Sequence, residues 1–421
     1  MSLAVAASLN DAAPRNAPDA AGALRLGGAV VEPEMTNAEV MTLFENDLAL
    51  NGVVVVVQGQ PIGLINRSRF FTSFARPFHR ELFLRKSCTV FMDPAPLTVD
   101  AGASVPQVGA SISEFGSKGL NEGFIVTRGG KYYGLCDGLT LMRALAEIQE
   151  EQHKQLLSSI DYASTIQQAL LADSRIALSR AFGDRHALIW EPRDIVGGDC
   201  FFAREDEAGV LFGLIDCTGH GVPGALLTSI AISATNRLAA DPALKADPGR
   251  LLGGLNQQVK AALQQNDKAN DDGGADDGMD AVFLWVDRAR TVARVASARL
   301  PVFLVDTQGR IETLKGERKG IGYRETPADF QWSTQEVALT PGLRVFLATD
   351  GVGDQLGEQR PMAFGWSRFR QALTATAGLD VCAQAGAGWD AFLAWQGQEA
   401  RRDDISILGA EIGAPVQGAG A

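Results

Sequence analysis

Four aspartates stand in short turn-like contexts along the C-terminal half of this chain. They are Asp199 in Gly-Gly-Asp-Cys-Phe-Phe, Asp216 in Ile-Asp-Cys-Thr-Gly-His-Gly, Asp350 in Ala-Thr-Asp-Gly-Val-Gly-Asp and Asp403 in Arg-Asp-Asp-Ile-Ser-Ile. Three of these contexts lie at the edge of an apolar run that reads as a β-strand. Strand ends hold ligands rigidly, and hard divalent cations prefer carboxylate oxygen. A surface scatter of acidic residues would not show this placement, so the fold has to be one whose strand ends carry ligands.

The rest of the chain bounds the setting. Its 421 residues exceed one hydrophobic core of ordinary size, so two or more domains are expected. The net charge of -12 repels phosphate backbones and anionic lipid, which argues against nucleic acid and membrane partners. The cysteines Cys88, Cys136, Cys200, Cys217 and Cys382 are odd in number and lack CxxC spacing, so neither a disulfide framework nor a zinc ribbon is expected, and a reducing cytoplasm fits. Residues 1–23 are Ala-rich with no basic start, and they read as a disordered tail rather than a signal peptide. Residues 413–421 read as a second tail. No apolar stretch approaches the roughly 18 residues that span a membrane.

Residues 24–147 carry an internal near-repeat. One unit begins Val31-Glu32-Pro33 and the other Met92-Asp93-Pro94. Each continues through a helix-like segment, an apolar strand (Val53 to Val57, Phe124 to Val126), a Gly turn and a second strand, and ends in an amphipathic helix. The pattern predicts two β-α-β-β-α units packed on each other. It resembles a tandem pair of CBS domains, on the strength of Gly63-Leu64-Ile65, Gly134-Leu135 and the strands before them. Such a pair implies sensing of an adenine nucleotide. The family's ribose positions, Thr/Ser and an Asp three residues on, are here Asn66 and Arg69, then Asp137 and Thr140. The ribose carboxylate is absent from both places, which leaves a ligand-free dimerisation and coupling module as the alternative.

From Leu141 to Leu171 the sequence is helical in character. A polar turn is expected at Glu150 to Gln155. After it, Leu156, Ile160, Ala163, Ile166 and Leu170 form one stripe, as in a helix that pairs with another helix. A helical linker over 148–182 that signals within a homodimer is the expectation. The effector domain, 183–412, has strand candidates at 187–191, 209–216, 280–287, 291–298, 301–306, 343–349 and 405–411. Helix candidates lie at 223–240, 248–264 and 365–376. Together these predict an α+β multidomain protein with a layered, largely antiparallel C-terminal domain.

Carboxylates without histidine ligands point to Mg2+ or Mn2+ rather than zinc. Two such ions roughly 3.5–4 Å apart can lower the pKa of a bridging water and clamp a phosphoryl oxygen for in-line attack. The order Gly-Gly-Asp, Asp-x-x-Gly-His-Gly, Thr-Asp-Gly and Asp-Asp-Ile-Ser resembles the SpoIIE-like branch of the PPM (type 2C) metal-dependent serine/threonine phosphatases. The resemblance covers residues 183–412 and implies an α-β-β-α sandwich of two antiparallel sheets. It also implies two ions, Mn2+ or Mg2+. Asp199 and Asp216 would be ligands, Asp216 bridging both ions, with the backbone carbonyl of Cys217 completing one site. Asp350 and Asp403 would close the other; Asp404 is its neighbour, and either carboxylate could face the metal. Arg193, six residues before Asp199, reads either as a contact for the substrate phosphate or as a solvated loop arginine.

His220 reads as a turn residue or a proton donor, Asp354 as a turn residue, and Cys200 and Cys217 as packing residues. The acidic run Asn266 to Asp280 reads as a solvated loop, with Asp280 as a candidate third-metal contact. The resemblance further implies a phosphorylated protein substrate, such as an anti-anti-sigma factor of the STAS type. The alternative from another class is a catalytically silent phosphatase-like scaffold that binds a partner under control of the N-terminal sensor.

Overall fold

The computed structural model describes residues 20–265, 276–359 and 361–413, so most of the acidic run and of both expected tails lies outside them. The chain divides into two compact units between Leu156 and Leu157.

The first unit contains the same motif twice. The first copy comprises β1 (Ala29–Val31), α1 (Asn37–Asn46), β2 (Gly52–Val57), β3 (Gln60–Asn66) and α2 (Arg67–Phe74). The second comprises β4 (Thr98–Asp100), α3 (Val105–Phe115), β5 (Phe124–Arg128), β6 (Lys131–Cys136) and the opening of α4 (Gly138–Phe182). In each copy the first strand runs parallel to the second and the second antiparallel to the third. Both hairpins slip register at the same point, after Val55 in one and after Val126 in the other. Both first helices open on a capping box, Thr36 with Glu39 and Ser104 with Gln107, which satisfies the free amides of the first turn. Val54, Leu64, Ile125 and Leu135, one pair from each copy, form a small buried cluster of their own.

Two expectations change here. Leu64 bridges to Asp93 and Leu26 to Leu135, so Asp93 is the counterpart of Leu26, and Val31 that of a β4 residue. The similarity between Val31-Glu32-Pro33 and Met92-Asp93-Pro94 was local; strand pairing decides equivalence. The expected tail also ends early. Ala21 is fully buried, and its amide donates to Ala103 O at 2.8 Å.

Helix α4 has 45 residues and no break at Glu150 to Gln155. No Gly or Pro interrupts that stretch, and the i,i+4 pairs Lys154–Glu150 (2.7 Å) and Gln155–Glu151 (3.0 Å) suit a solvated helix. Its early turns bury Leu141 and Ala144. Its last turns bury Leu171, Leu178 and Phe182 in the core of the second unit. The face that packs there is Gln167, Leu171, Ser174 and Leu178, while Ile166 and Leu170, in the stripe expected to pair with another helix, are exposed.

The second unit continues with β7 (His186–Glu191), β8 (Asp199–Glu205), β9 (Gly209–Cys217), α5 (Gly221–Leu238), α6 (Pro248–Leu263), β10 (Met279–Asp287), β11 (Val292–Ala298) and β12 (Val302–Val305). It ends with β13 (Ile311–Leu314), β14 (Gln335–Ala338), β15 (Arg344–Ala348), α7 (Gly365–Ala375), α8 (Val381–Gln396) and β16 (Ile405–Glu411). Two five-stranded sheets result, ordered β14-β11-β10-β9-β8 and β13-β12-β15-β16-β7, with every pair antiparallel.

Strand alternation separates two cores. Val302, Leu304, Val345, Leu347, Leu408 and Ala410 face the first sheet. Their neighbours Phe303, Val305, Phe346, Ala348, Ile405 and Ile407 face α7 and α8. Helices α5 and α6 cover the other face of the first sheet.

Strands β8, β13 and β14 and helix α8 were not expected. β8 is buried from Asp199 to Ala203, so its residues do not alternate, and β13 and β14 have only four residues each. Helix α8 is rich in Ala and Gly and shows little periodicity. Among the described residues, no helix is long and apolar enough to cross a membrane.

Candidate active site

The antiparallel register lines up three of the carboxylates. On β8 and β9, Asp199 pairs directly with Asp216; on β9 and β10, Asp216 pairs directly with Asp280. The second sheet brings the others. Asp350 follows the end of β15, and Asp403 and Asp404 precede β16, where Thr349 N donates to Ser406 O at 3.1 Å. Asp350, Asp354, Asp403 and Arg402 line one pocket of 240 Å³. Asp354, read as a turn residue, thus shares that pocket with two predicted ligands.

Asp199 is the most tightly held. It is 1% exposed, and its Oδ2 accepts from Thr349 Oγ1 at 2.7 Å and Ser406 Oγ at 2.8 Å. Its backbone carbonyl accepts from Trp190 Nε1 at 2.9 Å. Thr349 and Ser406 were missed as functional residues, although both stand inside the motifs that flagged Asp350 and Asp403. The available signal was a hydroxyl in an otherwise apolar strand, which when buried needs a partner.

Asp403 and Asp404 differ in what they touch. Asp404 is buried, and its carboxylate accepts from Arg193 N at 2.6 Å and Gly198 N at 2.5 Å. It therefore orients the Gly197-Gly198 turn. Asp403 is exposed at the pocket, with one oxygen accepting from Asp404 N at 2.8 Å. Arg193 is exposed, and its guanidinium donates to Arg402 O at 3.0 Å, which places it beside the Asp403 loop. His220 is the N-cap residue of α5, and its Nδ1 pairs with Asp194 Oδ2 at 2.7 Å. Both line an apolar groove of 690 Å³ with Ile195, Val222 and Pro223. Asp280 faces Arg299 at 3.4 Å, so a cation of the chain already attends it.

The carboxylates titrate as a group. Burial pushes Asp216 well above the usual carboxylate range, and Asp199, Asp350 and Asp280 push it further. Asp199 is also raised by burial and by Asp404, against the pull of its Thr349 and Ser406 hydrogen bonds. Burial raises Asp280 to about 6, with Arg299 opposing. Among the described residues, no three His, Cys, Asp or Glu side chains converge tightly enough to hold an ion as they stand. The donor chemistry nevertheless fits a hard dication: it is all-oxygen and carboxylate-rich, and Arg299 offsets only part of the charge.

The turns that bear Asp199 and Asp216 touch through backbone. A Cβ on Gly198 would stand 2.5 Å from Gly219 O and 2.6 Å from Cys217 O. The Cys217 carbonyl, predicted as a ligand, therefore lies against the Gly-Gly-Asp turn. Gly198→Ala is expected to push the turns apart, costing about 1–3 kcal/mol of stability and weakening Mn2+ binding. Thermal unfolding and calorimetry check this; a variant that melts and binds like the parent would contradict it.

In the first unit, the residues at the predicted ribose positions cap helices. Asn66 Oδ1 accepts from Arg69 N at 3.1 Å, and Asp137 Oδ1 accepts from Thr140 N at 2.8 Å. Both capping residues, with Asn51, Arg67, Asn121 and Glu122, line a pocket of 490 Å³.

Comparison with known proteins places the second unit. Residues 206–413 match the family model for stage II sporulation protein E (SpoIIE). The SiaA PP2C domain of Pseudomonas aeruginosa is 36% identical over 62% of this chain and 98% of that one, with a TM-score of 0.54. The RsbU and RsbW domains of a Mycobacterium tuberculosis protein align at 16% identity over 55% of this chain and 60% of theirs, with a TM-score of 0.44. The PP2C phosphatase domain of SpoIIE from Bacillus subtilis, with a fragment of its regulatory domain, aligns at 12% over 53% of this chain and 62% of its own, with a TM-score of 0.42. No curated protein matches. With a SpoIIE family match and more than a third of residues shared across nearly the whole SiaA PP2C domain, the chain belongs to the SpoIIE-type PP2C serine/threonine phosphatases.

Proposed function

We propose that this protein hydrolyses phosphoserine or phosphothreonine in a protein substrate, using two bound Mg2+ or Mn2+ ions. The observation that carries the reading is the row Asp199–Asp216–Asp280 across one sheet, met by Asp350 and Asp403 from the other. When bound, the ions would supply a water of lowered pKa and a clamp on phosphoryl oxygens. Asp199, Asp216, Asp350, Asp403 and the Cys217 carbonyl would hold them. Asp404 would keep the Gly198 turn in place through its two backbone amides. Arg193, exposed at the rim beside the Asp403 loop, would orient the phosphate.

The test is phosphate release from a phosphoserine peptide and from p-nitrophenyl phosphate, with Mn2+ and with chelator. Equal rates in the two conditions would sink the reading. The spread of the carboxylates favours one alternative, a silent scaffold that binds a partner. Mn2+ calorimetry separates the two, since a scaffold has no need to take up metal at millimolar concentration.

The physiological substrate would be a phosphorylated signalling protein of the anti-anti-sigma (STAS) type. The repeated β-α-β-β-α motif and its polar pocket support a CBS pair that regulates the phosphatase. An adenine nucleotide remains a candidate for that pocket, against the capping roles of Asn66 and Asp137. Tyr162, Ile166 and Leu170 recur every four residues, exposed on α4, and suit pairing with a second copy. Removing residues 1–140 is expected to change the rate or the mass in solution. Unchanged values for both, from kinetics and light scattering, would end the regulatory reading.

A further inference from the structure

Arg402 stands immediately before Asp403 and lines two pockets. One is the 240 Å³ pocket that holds Asp350 and Asp403. The other, of 390 Å³, is lined also by Arg193, Leu356, Glu399, Ala400 and Arg401. This second pocket gathers three arginines against one glutamate, beside a carboxylate-rich site in a chain of net charge -12.

The backbone of Arg402 is held on both sides. Gln355 is fully buried; its Oε1 accepts from Arg402 N at 3.1 Å, and its Nε2 donates to Ala400 O at 3.0 Å. One amide therefore ties the loop at two places. The Arg193 guanidinium donates to Arg402 O at 3.0 Å. The three arginine side chains differ in what they touch. Arg193 is engaged with that carbonyl, and Arg401 lies 3.7 Å from Glu191 and over the Trp389 ring. The Arg402 guanidinium is exposed and has no hydrogen bond or ion pair among the described residues. The fold thus presents a permanently charged group, free at its tip, on an anchored backbone. Its planar fork of donors matches a carboxylate, and an anchored backbone leaves less freedom to lose on binding.

We propose that the arginine-lined pocket is a substrate subsite, in which Arg402 binds the carboxylate of an aspartate or glutamate close in sequence to the phosphorylated residue. The inference rests on the phosphatase reading above and deepens it by naming the peptide sequence the site prefers. Because Arg402 lines both pockets, an extended peptide with its phosphate at the Asp350 and Asp403 pocket reaches the second one within about two residues, at about 3.3–3.6 Å each. A small phosphate ester carries no such side chain and gains nothing from the subsite.

The experiment measures Mn2+-dependent phosphate release by the full-length chain from three phosphoserine peptides. They are identical except that the residues flanking the phosphoserine are glutamate, alanine or lysine. p-Nitrophenyl phosphate serves as the substrate with no flanking residue. The parent is expected to favour the glutamate over the alanine peptide by about fivefold in kcat/KM, chiefly through KM, as suits one exposed ion pair. Arg402→Ala should bring that ratio close to one. Arg402→Lys keeps the charge and loses the fork, so it should keep part of the preference. Arg402→Glu should invert it, in favour of the lysine peptide. Each result is a ratio between peptides, so a variant of lowered stability still reports. A parent without preference for the glutamate peptide overturns the proposal. So does an unchanged ratio in Arg402→Ala and Arg402→Glu while all rates fall together, the mark of a residue that only supports Asp403. A parent that releases no phosphate from any of these substrates ends the phosphatase reading, and this subsite with it; loss of the preference alone leaves that reading standing.

Discussion

Asp216→Asn is expected to lower Mn2+-dependent hydrolysis of p-nitrophenyl phosphate by about 10³-fold, which corresponds to about 4 kcal/mol of barrier. The substitution keeps the shape of the side chain and removes its charge. Asp216 pairs across the sheet with Asp199 on one side and Asp280 on the other, and Asp350 acts on it from the second sheet. No other carboxylate stands between so many of the set. The same crowding gives the variant a second signature. In chelator, one fewer like charge should leave its melting temperature equal to or above that of the parent. Loss of rate with gain of metal-free stability would locate the effect in metal binding rather than in unfolding. A variant that keeps more than a tenth of the parent rate would remove Asp216 from the central role.

Mn2+ should raise the melting temperature of the second unit by about 5–10 °C at roughly one hundred times the dissociation constant. That estimate comes from about 2.7 kcal/mol of linkage at that saturation and about 2–4 °C per kcal/mol for a domain of this size. The gain should depend on pH, and its sign follows from the carboxylates. Burial raises Asp199, Asp216 and Asp280 above their unfolded values, Asp280 to about 6. Between the unfolded carboxylate range near 4 and these raised values, the folded protein holds protons that the unfolded chain has released. The contribution of these three groups to metal-free stability is therefore greatest below that window and falls as pH rises through it. Cation binding needs the ionised forms and releases those protons. The Mn2+-induced shift should be larger at pH 7.5 than at pH 5.5. Scanning calorimetry with chelator and with Mn2+ at both values checks it; a shift independent of pH would mean that these carboxylates do not take up the ion.

Much of the second unit was legible in local pattern. The strand from Gly209 to Cys217 reads as an apolar run closed by Asp216, and Pro223 marks the opening turn of α5. Other elements left weaker traces. β8 is buried along both faces from Asp199 to Ala203, so it lacks alternation, although it carries Asp199. The Glu150 to Gln155 stretch read as a turn because it is polar. It is helical because polarity does not break a helix that has no Gly or Pro and has its charges paired four residues apart. The apolar stripe of α4, expected to pair with another helix, leaves Ile166 and Leu170 exposed in the single chain. Spacing identifies a face but not its partner, and the packed face turned out to contain Gln167 and Ser174.

By itself the sequence determined that four aspartates stand in turns, three of them beside an apolar strand, that the N-terminal part is duplicated, and that a helix joins the two parts. These follow from composition, from period and from glycine placement, all of which act over a few residues. Tertiary structure decided which aspartates meet. Asp199 and Asp216 are neighbours only because β8 and β9 pair in one register; a slip of one residue would turn one of them to the opposite face. It also decided that Asp404 holds backbone while Asp403 stands at the pocket, and that Gln167 grips the Gly197 turn. Those choices depend on hydrogen-bond partners far away in the chain, which local pattern does not encode.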